Sequence, residues 1–486
     1  MKYVLEGIEP VKPLHYFEEL SAIPRGSRNE KAAAEYVVSK ANEFGLYVRK
    51  DEHNNVFVKK PATAGMENLM PVMLQAHLDM VCEKTPESDH DFMKDGIRLV
   101  KDGDILKADG TTLGADDGYG CGYMLALMDT DSDAFPHPEL QFLFTTGEEI
   151  GFTGAMALDP YDITARRMIS LDCGREGRID TTSAGGEEIR MYADPEYEKI
   201  SGNGLCITVS GLKGGHSAVS ITEERANANK IMGRLLHNIA KICEIRLCSI
   251  TGGRMFNAIP RDCSAVIAVP AGKEEAVKAC AASILAQLKD EYAATDEGLC
   301  IEISAASPEK QMSGKATRTV IEAMYCIPNG IRMMNKLVPG LPVTSVNMGA
   351  VREENGKIMI GVMTRSSIKS LNDDLADNIV SVAGLCGITD VDMGYWIPAW
   401  PHNPKSAMRE IYRNYYKRVT GNECVEVGTH GGLELGVFCE MMPGMDILTL
   451  GPNSWDCHTV TERLSLSSYA KTYTYLKDFL KELTRS

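Results

Sequence analysis

The run Val72–Leu74 leads into Gln75-Ala-His77-Leu-Asp79, and residues i and i+2 of an extended chain project to the same side, so His77 and Asp79 are neighbours. A carboxylate beside an imidazole can take one ring N–H, fix the tautomer and leave the other nitrogen for a metal ion. The triplet alone does not separate this from a histidine and an aspartate on a loop. Other residues repeat its placement: Glu148-Glu149 follow the apolar run ending at Thr145, Asp172 follows the run ending at Leu171, and His458 comes shortly after Leu450. The glycine-flanked pair Asp116-Asp117 could join them. Carboxylates in loops are usually solvated, and Glu-Glu pairs recur at 223–224 and 353–354. Coincidence of five such sites is harder to explain in that way.

The charge count favours two metal ions. His77, Asp116 and Asp172 would hold one, and Asp116, Glu149 and His458 the other, with Asp116 bridging. Two divalent cations, three carboxylates and a bridging hydroxide sum to zero, so such a site can be buried without uncompensated charge. Mixed imidazole and carboxylate ligation suits zinc, with cobalt or manganese tolerated. Ions about 3.5–4 Å apart activate a water while polarising a carbonyl, which is hydrolytic chemistry. Glu148 is left unligated and is the natural general base, taking the proton of the bridging water and passing it to the leaving amine. Nearby cations depress its pKa and burial raises it, so its value stays open at this level.

These residues need a scaffold that brings distant segments together. Val72–Leu74, Gln141–Phe144, Met168–Leu171 and Ile447–Leu450 are short apolar runs followed by polar or glycine-rich sequence, and read as buried strands of one sheet. Residues 30–44 have helical apolar spacing and end at Gly45, and a glycine-rich turn at 114–120 feeds the apolar run Cys121–Met128. Strands alternating with helices imply an α/β domain, in which ligands bind beyond the strand carboxyl ends. From about Ala184 the pattern reads as a βαββαβ unit, and after Pro308 the order nearly recurs. The expected organisation is therefore a catalytic domain over 1–183 and 394–486, interrupted by a duplicated α+β insert over 184–393.

The composition excludes several alternatives. A chain of 486 residues exceeds what one core supports. Its 67 acidic against 51 basic residues, net charge -16, repel nucleic acid and anionic membranes. Apolar windows are far shorter than the roughly 20 residues that cross a bilayer, and a cytoplasmic location is expected. The 14 cysteines are scattered without a CxxC pair and read as reduced core thiols.

Taken in order, QAHLDMV, TTLGADDGYG, FTTGEEIG and ISLDCG resemble the di-zinc peptidase superfamily of carboxypeptidase G, tripeptidase and carnosinase type. Within it the chain is most similar, over essentially its whole length, to the aminoacyl-histidine (Xaa-His) or cytosolic non-specific dipeptidases. The resemblance implies a mixed-sheet catalytic domain interrupted by a lid built from duplicated ferredoxin-like units. It implies His77, Asp116, Glu149, Asp172 and His458 as ligands of two zinc ions, Glu148 as base, Asp79 as the orienter of His77, and a cis peptide between Asp116 and Asp117. In Gly214-Gly215-His216-Ser217 it implies that His216 reaches the tetrahedral oxyanion, from its own chain or from a partner's. A dipeptidase must also hold a free substrate carboxylate. Arg365 is the first choice, then Asn257 and His430. The expected activity is hydrolysis of Xaa-His and other dipeptides, carnosine-type ones included, with a homodimer plausible. An amidohydrolase acting on N-acyl amino acids and a non-catalytic binding protein on the same fold are the alternatives.

Overall fold

The computed structural model describes residues 3–130, 135–394 and 396–485. The chain divides into two compact units, one of Met1–Thr182, His402–Gly428 and Glu434–Ser486, the other of Ser183–Pro401 and Thr429–Leu433. Residues 396–401 and 429–433, expected with the returning segment, belong to the second unit. The cause for the former is backbone pairing of Ile397 with Gly186 and of Trp400 with Ser183, and for the latter the Ala184 amide, which donates to the Thr429 and Gly431 carbonyls.

The first unit is built on a six-stranded sheet containing β1 (Tyr47–Lys50), β2 (Val56–Lys60), β3 (Val72–His77), β4 (Leu140–Thr145), β5 (Arg167–Ser170) and β6 (Asp446–Thr449). Their order is β1-β2-β4-β3-β5-β6. The neighbours among β3 to β6 run parallel, while β1 and β2 are antiparallel to their neighbours, so the sheet is mixed as expected. All six positions of β3 and of β4 are buried, the unbroken burial of parallel strands covered on both faces. His77 pairs with Thr145 and Gln75 with Ser170, so β3, β4 and β5 finish nearly level. The segments that follow them leave the sheet on one edge, where ligands of open α/β sheets bind.

Helix α1 (Ala115–Met128) is buried along nearly all its length. Its glycines permit that approach: a Cβ on Gly122 would lie 2.8 Å from the Pro13 carbonyl oxygen and from the Tyr469 hydroxyl. Tyr469 belongs to the C-terminal helix α2 (Leu466–Leu483), whose first turn is capped by the Ser465 hydroxyl accepting from the Ser468 amide.

The second unit carries a nine-stranded sheet. Along it lie Cys300–Ala306, Asn203–Ser210, Cys263–Val269, Arg246–Gly252, Pro342–Glu354, Lys357–Ser366, Gly185–Ala193 and Asp390–Met393, with Gly330–Met334 also paired to Pro342–Glu354. The first four, taken with helices Ala228–Ile242 and Glu274–Glu291, form a ferredoxin-like βαββαβ module. The second module takes its helices from Gly314–Cys326 and Lys369–Cys386. Its first strand is Gly185–Ala193, which precedes the whole first module in sequence. One module is thus inserted into the other, and the two sheets join where Gly252 pairs with Val351. The helix Ala228–Ile242 starts where the Asn227 side chain caps it by accepting from the Lys230 amide.

Candidate metal centre

Three segments leave the carboxyl edge of the first sheet and converge with two from elsewhere in the first unit. His77, Asp116 and Asp172 each offer a ligand atom within 4.8 Å of the others, and so do Asp116, Glu149 and His458. Asp116 belongs to both groups. Its Oδ1 lies 3.1 Å from His77 Nε2 and its Oδ2 3.5 Å from His458 Nε2, so its two oxygens face different imidazoles. Glu149 Oε1 is 2.9 Å from His458 Nε2. Glu148 is also close, forming a third group with His77 and Glu149. The Asp116–Asp117 peptide is cis.

Asp79, fully buried, has Oδ1 3.4 Å from His77 Nδ1. The same carboxylate accepts from the amides of Glu148 at 3.1 Å and Glu149 at 3.3 Å, and from the Ser27 hydroxyl at 2.8 Å. It therefore ties the β3 loop to the Glu148-Glu149 loop, a second bond set that the i, i+2 argument did not include.

The electrostatics show what this cluster lacks. Burial pushes the Glu148 carboxyl well above its usual range, and burial with the charge of Asp116 does the same to Asp172. Burial opposes the Asp116 carboxylate too, but hydrogen bonds from His458 and His77 outweigh it and hold Asp116 low. Burial likewise disfavours the His77 imidazolium, yet Asp116 and Asp79 hold it above its ordinary value, and Asp116 and Glu149 push His458 up to about 10. A buried, acid-rich cluster that raises both imidazoles and disfavours the charged form of some of its own carboxyls would be relieved by added positive charge. Two imidazole nitrogens with several carboxylate oxygens are a donor set that divalent cations fit.

Within the second unit, Arg365 is buried, and its Nε donates to the Ser217 hydroxyl at 3.2 Å. No ion pair to it is recorded among the described residues, and burial lowers its pKa to about 10. Arg365 pairs across the sheet with Ser345, whose hydroxyl lies 2.7 Å from His430 Nε2. Burial and then the Arg365 charge bring His430 down to about 3. His216 is likewise lowered, by burial and Arg365, and its Nδ1 accepts the Ala218 amide at 3.2 Å. The Asn257 carbonyl accepts from the Ser217 amide at 2.8 Å. Arg365, His216 and His430 thus gather around Ser217 and Ser345, with Asn257 joined through its backbone.

Among the buried charged residues of the first unit that the sequence did not single out, three bond to the segments that carry the candidate ligands. Arg25 donates from Nη1 to the carbonyls of Leu78 (2.9 Å) and Asp79 (3.0 Å) and from Nη2 to that of Gly114. Glu434 accepts from Gln75 Nε2 at 2.7 Å and the Thr145 hydroxyl at 2.9 Å, and burial pushes it up to about 8. Glu462 accepts from four consecutive amides, Leu113 to Asp116. The four-residue spacing from His458 to Glu462 was the one available signal.

A mixed α/β sheet with paired imidazole-carboxylate clusters at its carboxyl edge, interrupted by a doubled ferredoxin-like unit, defines a metallopeptidase. The model of a peptidase dimerisation domain matches residues 207–296, and that of peptidase family M28 matches residues 55–190. The chain is 34% identical over 482 residues to the cytosol non-specific dipeptidase of Escherichia coli strain K12, covering 99% of each. It is similar to the crystal structure of aminoacylhistidine dipeptidase from Vibrio alginolyticus, with a TM-score of 0.92, 32% identity, and 99% and 98% of the two chains covered. The aminopeptidase PepT from Bacillus cereus shares the fold at a TM-score of 0.57 and 16% identity, over 98% of this chain and 99% of that one. The chain belongs to the cytosol non-specific dipeptidase family.

Proposed function

We propose that this chain hydrolyses dipeptides, Xaa-His and carnosine-type β-alanyl-histidine among them, at a two-ion centre. The observation that carries this reading is Asp116, whose two oxygens face two imidazoles in two overlapping ligand groups with Glu148 alongside. His77, Asp116 and Asp172 would hold one ion, and Asp116, Glu149 and His458 the other. Zinc is the ion this donor set suits best, with cobalt or manganese able to substitute. When bound, such ions polarise the scissile carbonyl and acidify a water.

Glu148 is the proton carrier: its carboxylate takes a proton from the attacking water and delivers it to the departing amine nitrogen. Asp79 keeps that loop in place through the Glu148 and Glu149 amides. Arg365 takes the substrate's free carboxylate, supported by its burial and by a side-chain bond, among the described residues, to the Ser217 hydroxyl alone. Burial and the Arg365 charge hold His216 below its ordinary pKa, and because its Nδ1 accepts the Ala218 amide, the neutral ring carries its proton on Nε2, from which it donates to a developing oxyanion. His430 and Asn257 are the further candidates for holding the substrate's carboxylate. The name of the Escherichia coli relative supports action in the cytosol, and the dimerisation-domain match supports self-association as a homodimer.

Glu148→Gln tests the reading. It should retain both ions and lower kcat by about 10²–10⁴-fold or more, the range expected when a positioned proton carrier is lost. Near-normal turnover in the metal-replete variant would refute the role of Glu148.

A further inference from the structure

We infer that Glu462 is a positioning residue that sets the distance between Asp116 and His458, and so governs binding of the ion held by Asp116, Glu149 and His458. The inference rests on the two-ion reading above. Glu462 is 3% exposed, and among the described residues its side chain bonds to backbone amides alone. Oε2 accepts from the amides of Leu113 at 2.7 Å and Gly114 at 2.9 Å, and Oε1 from those of Ala115 at 2.9 Å and Asp116 at 3.3 Å. Four successive N–H groups pointing into one space form a concave anion site. Here the anion is a side chain of the same molecule.

The turn that makes this possible needs Gly114, which has φ +66° and where a Cβ would come within 2.6 Å of Arg25 Nη2 and 2.8 Å of Met80 Sδ. Arg25 accordingly holds the carbonyl side of the turn through the Gly114 oxygen, while Glu462 holds its amide side. The last amide in that row is that of Asp116 itself.

Glu462 is also joined to His458 by a short, internally bonded loop. The Thr459 amide donates to the Asp456 carbonyl at 3.2 Å and the Glu462 amide to the Thr459 carbonyl at 3.1 Å. His458 stands between them in a left-handed conformation, φ +66°, uncommon outside glycine. One carboxylate therefore spans the two segments that supply Asp116 and His458, whose facing atoms are 3.5 Å apart. His77 sits on β3 and Asp172 just past β5, both fixed by the sheet, so their group depends on Glu462 only through Asp116. Loss of Glu462 should fall unequally on the two ions.

Glu462→Gln keeps the shape but turns one acceptor into a donor facing amides, and Glu462→Ala removes both acceptors. Zinc binding would be measured by competition with a chromophoric chelator on wild-type and variant proteins. Circular dichroism and thermal unfolding of the metal-free forms would check folding, and kcat and KM would be measured at limiting and saturating zinc. The expected result is two ions in the wild type. In Glu462→Gln the second should bind about 10–100-fold more weakly, the usual cost of losing a group that orients a ligand, and the first should lose clearly less, because only Asp116 among its three ligands depends on Glu462. kcat should recover at saturating zinc with KM unchanged. Should Glu462→Ala fail to fold, Glu462→Gln decides. A folded Glu462→Gln protein that binds both ions with wild-type affinity, including one with only a lower unfolding temperature, would overturn the inference and leave the two-ion reading standing. A wild type that binds fewer than two ions would overturn both.

Discussion

A guanidinium held out of water without a carboxylate partner costs free energy that an incoming anion can recover, and Arg365 is in that position. Arg365→Met should raise KM for dipeptides by about 10²-fold, equivalent to about 2.7 kcal/mol for a lost charge-assisted bond. It should leave cleavage of a C-terminally amidated dipeptide nearly unchanged, and equal losses on both substrates would contradict the role. His430 gives a second residue-level test, through pH. Burial and Arg365 lower its pKa from 6.5 to about 3, so between these values the unfolded chain takes up a proton that the folded chain refuses. Its contribution is present in full above pH 6.5 and is lost as pH falls through the window, at up to about 1.4 kcal/mol per pH unit. Denaturant unfolding at pH 7 and pH 5 should show a smaller acid-induced loss in His430→Gln than in the wild type; equal losses would contradict this.

At the scale of elements, the candidate centre was legible because β3, β4 and β5 are short, mainly apolar and mostly buried runs, and a residue able to bind metal ends each strand or follows it within a few positions. The second unit was legible only in part. Gly185–Ala193 mixes charged and apolar residues, and it precedes the rest of its module by an entire inserted module, so periodicity gave no reason to count it as the missing first strand. Arg25, Glu434 and Glu462 were missed for a different reason. Each is a single charged residue whose burial depends on a partner far away in sequence, and apart from the four-residue spacing of His458 and Glu462 local spacing does not carry that information. Glu434 shows what such a residue does for its elements: it bridges β3 and β4 by accepting from Gln75 of one and Thr145 of the other. Glu434→Ala leaves those two donors without their acceptor and should destabilise the first unit by about 1–3 kcal/mol in denaturant unfolding. An unchanged midpoint would show that the bridge adds nothing to stability.

At the scale of the whole molecule, each unit has its own hydrophobic core, and all the candidate ligands belong to the first. Metal binding should therefore stabilise the first unit selectively, by about 4 kcal/mol when free metal is 1,000 times its dissociation constant. Hydrogen exchange followed by mass spectrometry should show chelation speeding exchange at the ends of β3, β4 and β5 while the core strands of the second unit keep their protection. Uniform loss of protection would contradict this. The central claim, a two-ion dipeptidase, is tested most directly by metal content measured together with hydrolysis of β-alanyl-histidine, alanyl-histidine, alanyl-alanine and N-acetyl-alanine before and after chelation. The account predicts two divalent ions per chain, with dipeptide cleavage that disappears on chelation and returns with zinc, and an untouched N-acetyl compound. A folded protein that takes up no metal from added zinc, or that cleaves dipeptides equally well after chelation, would contradict it.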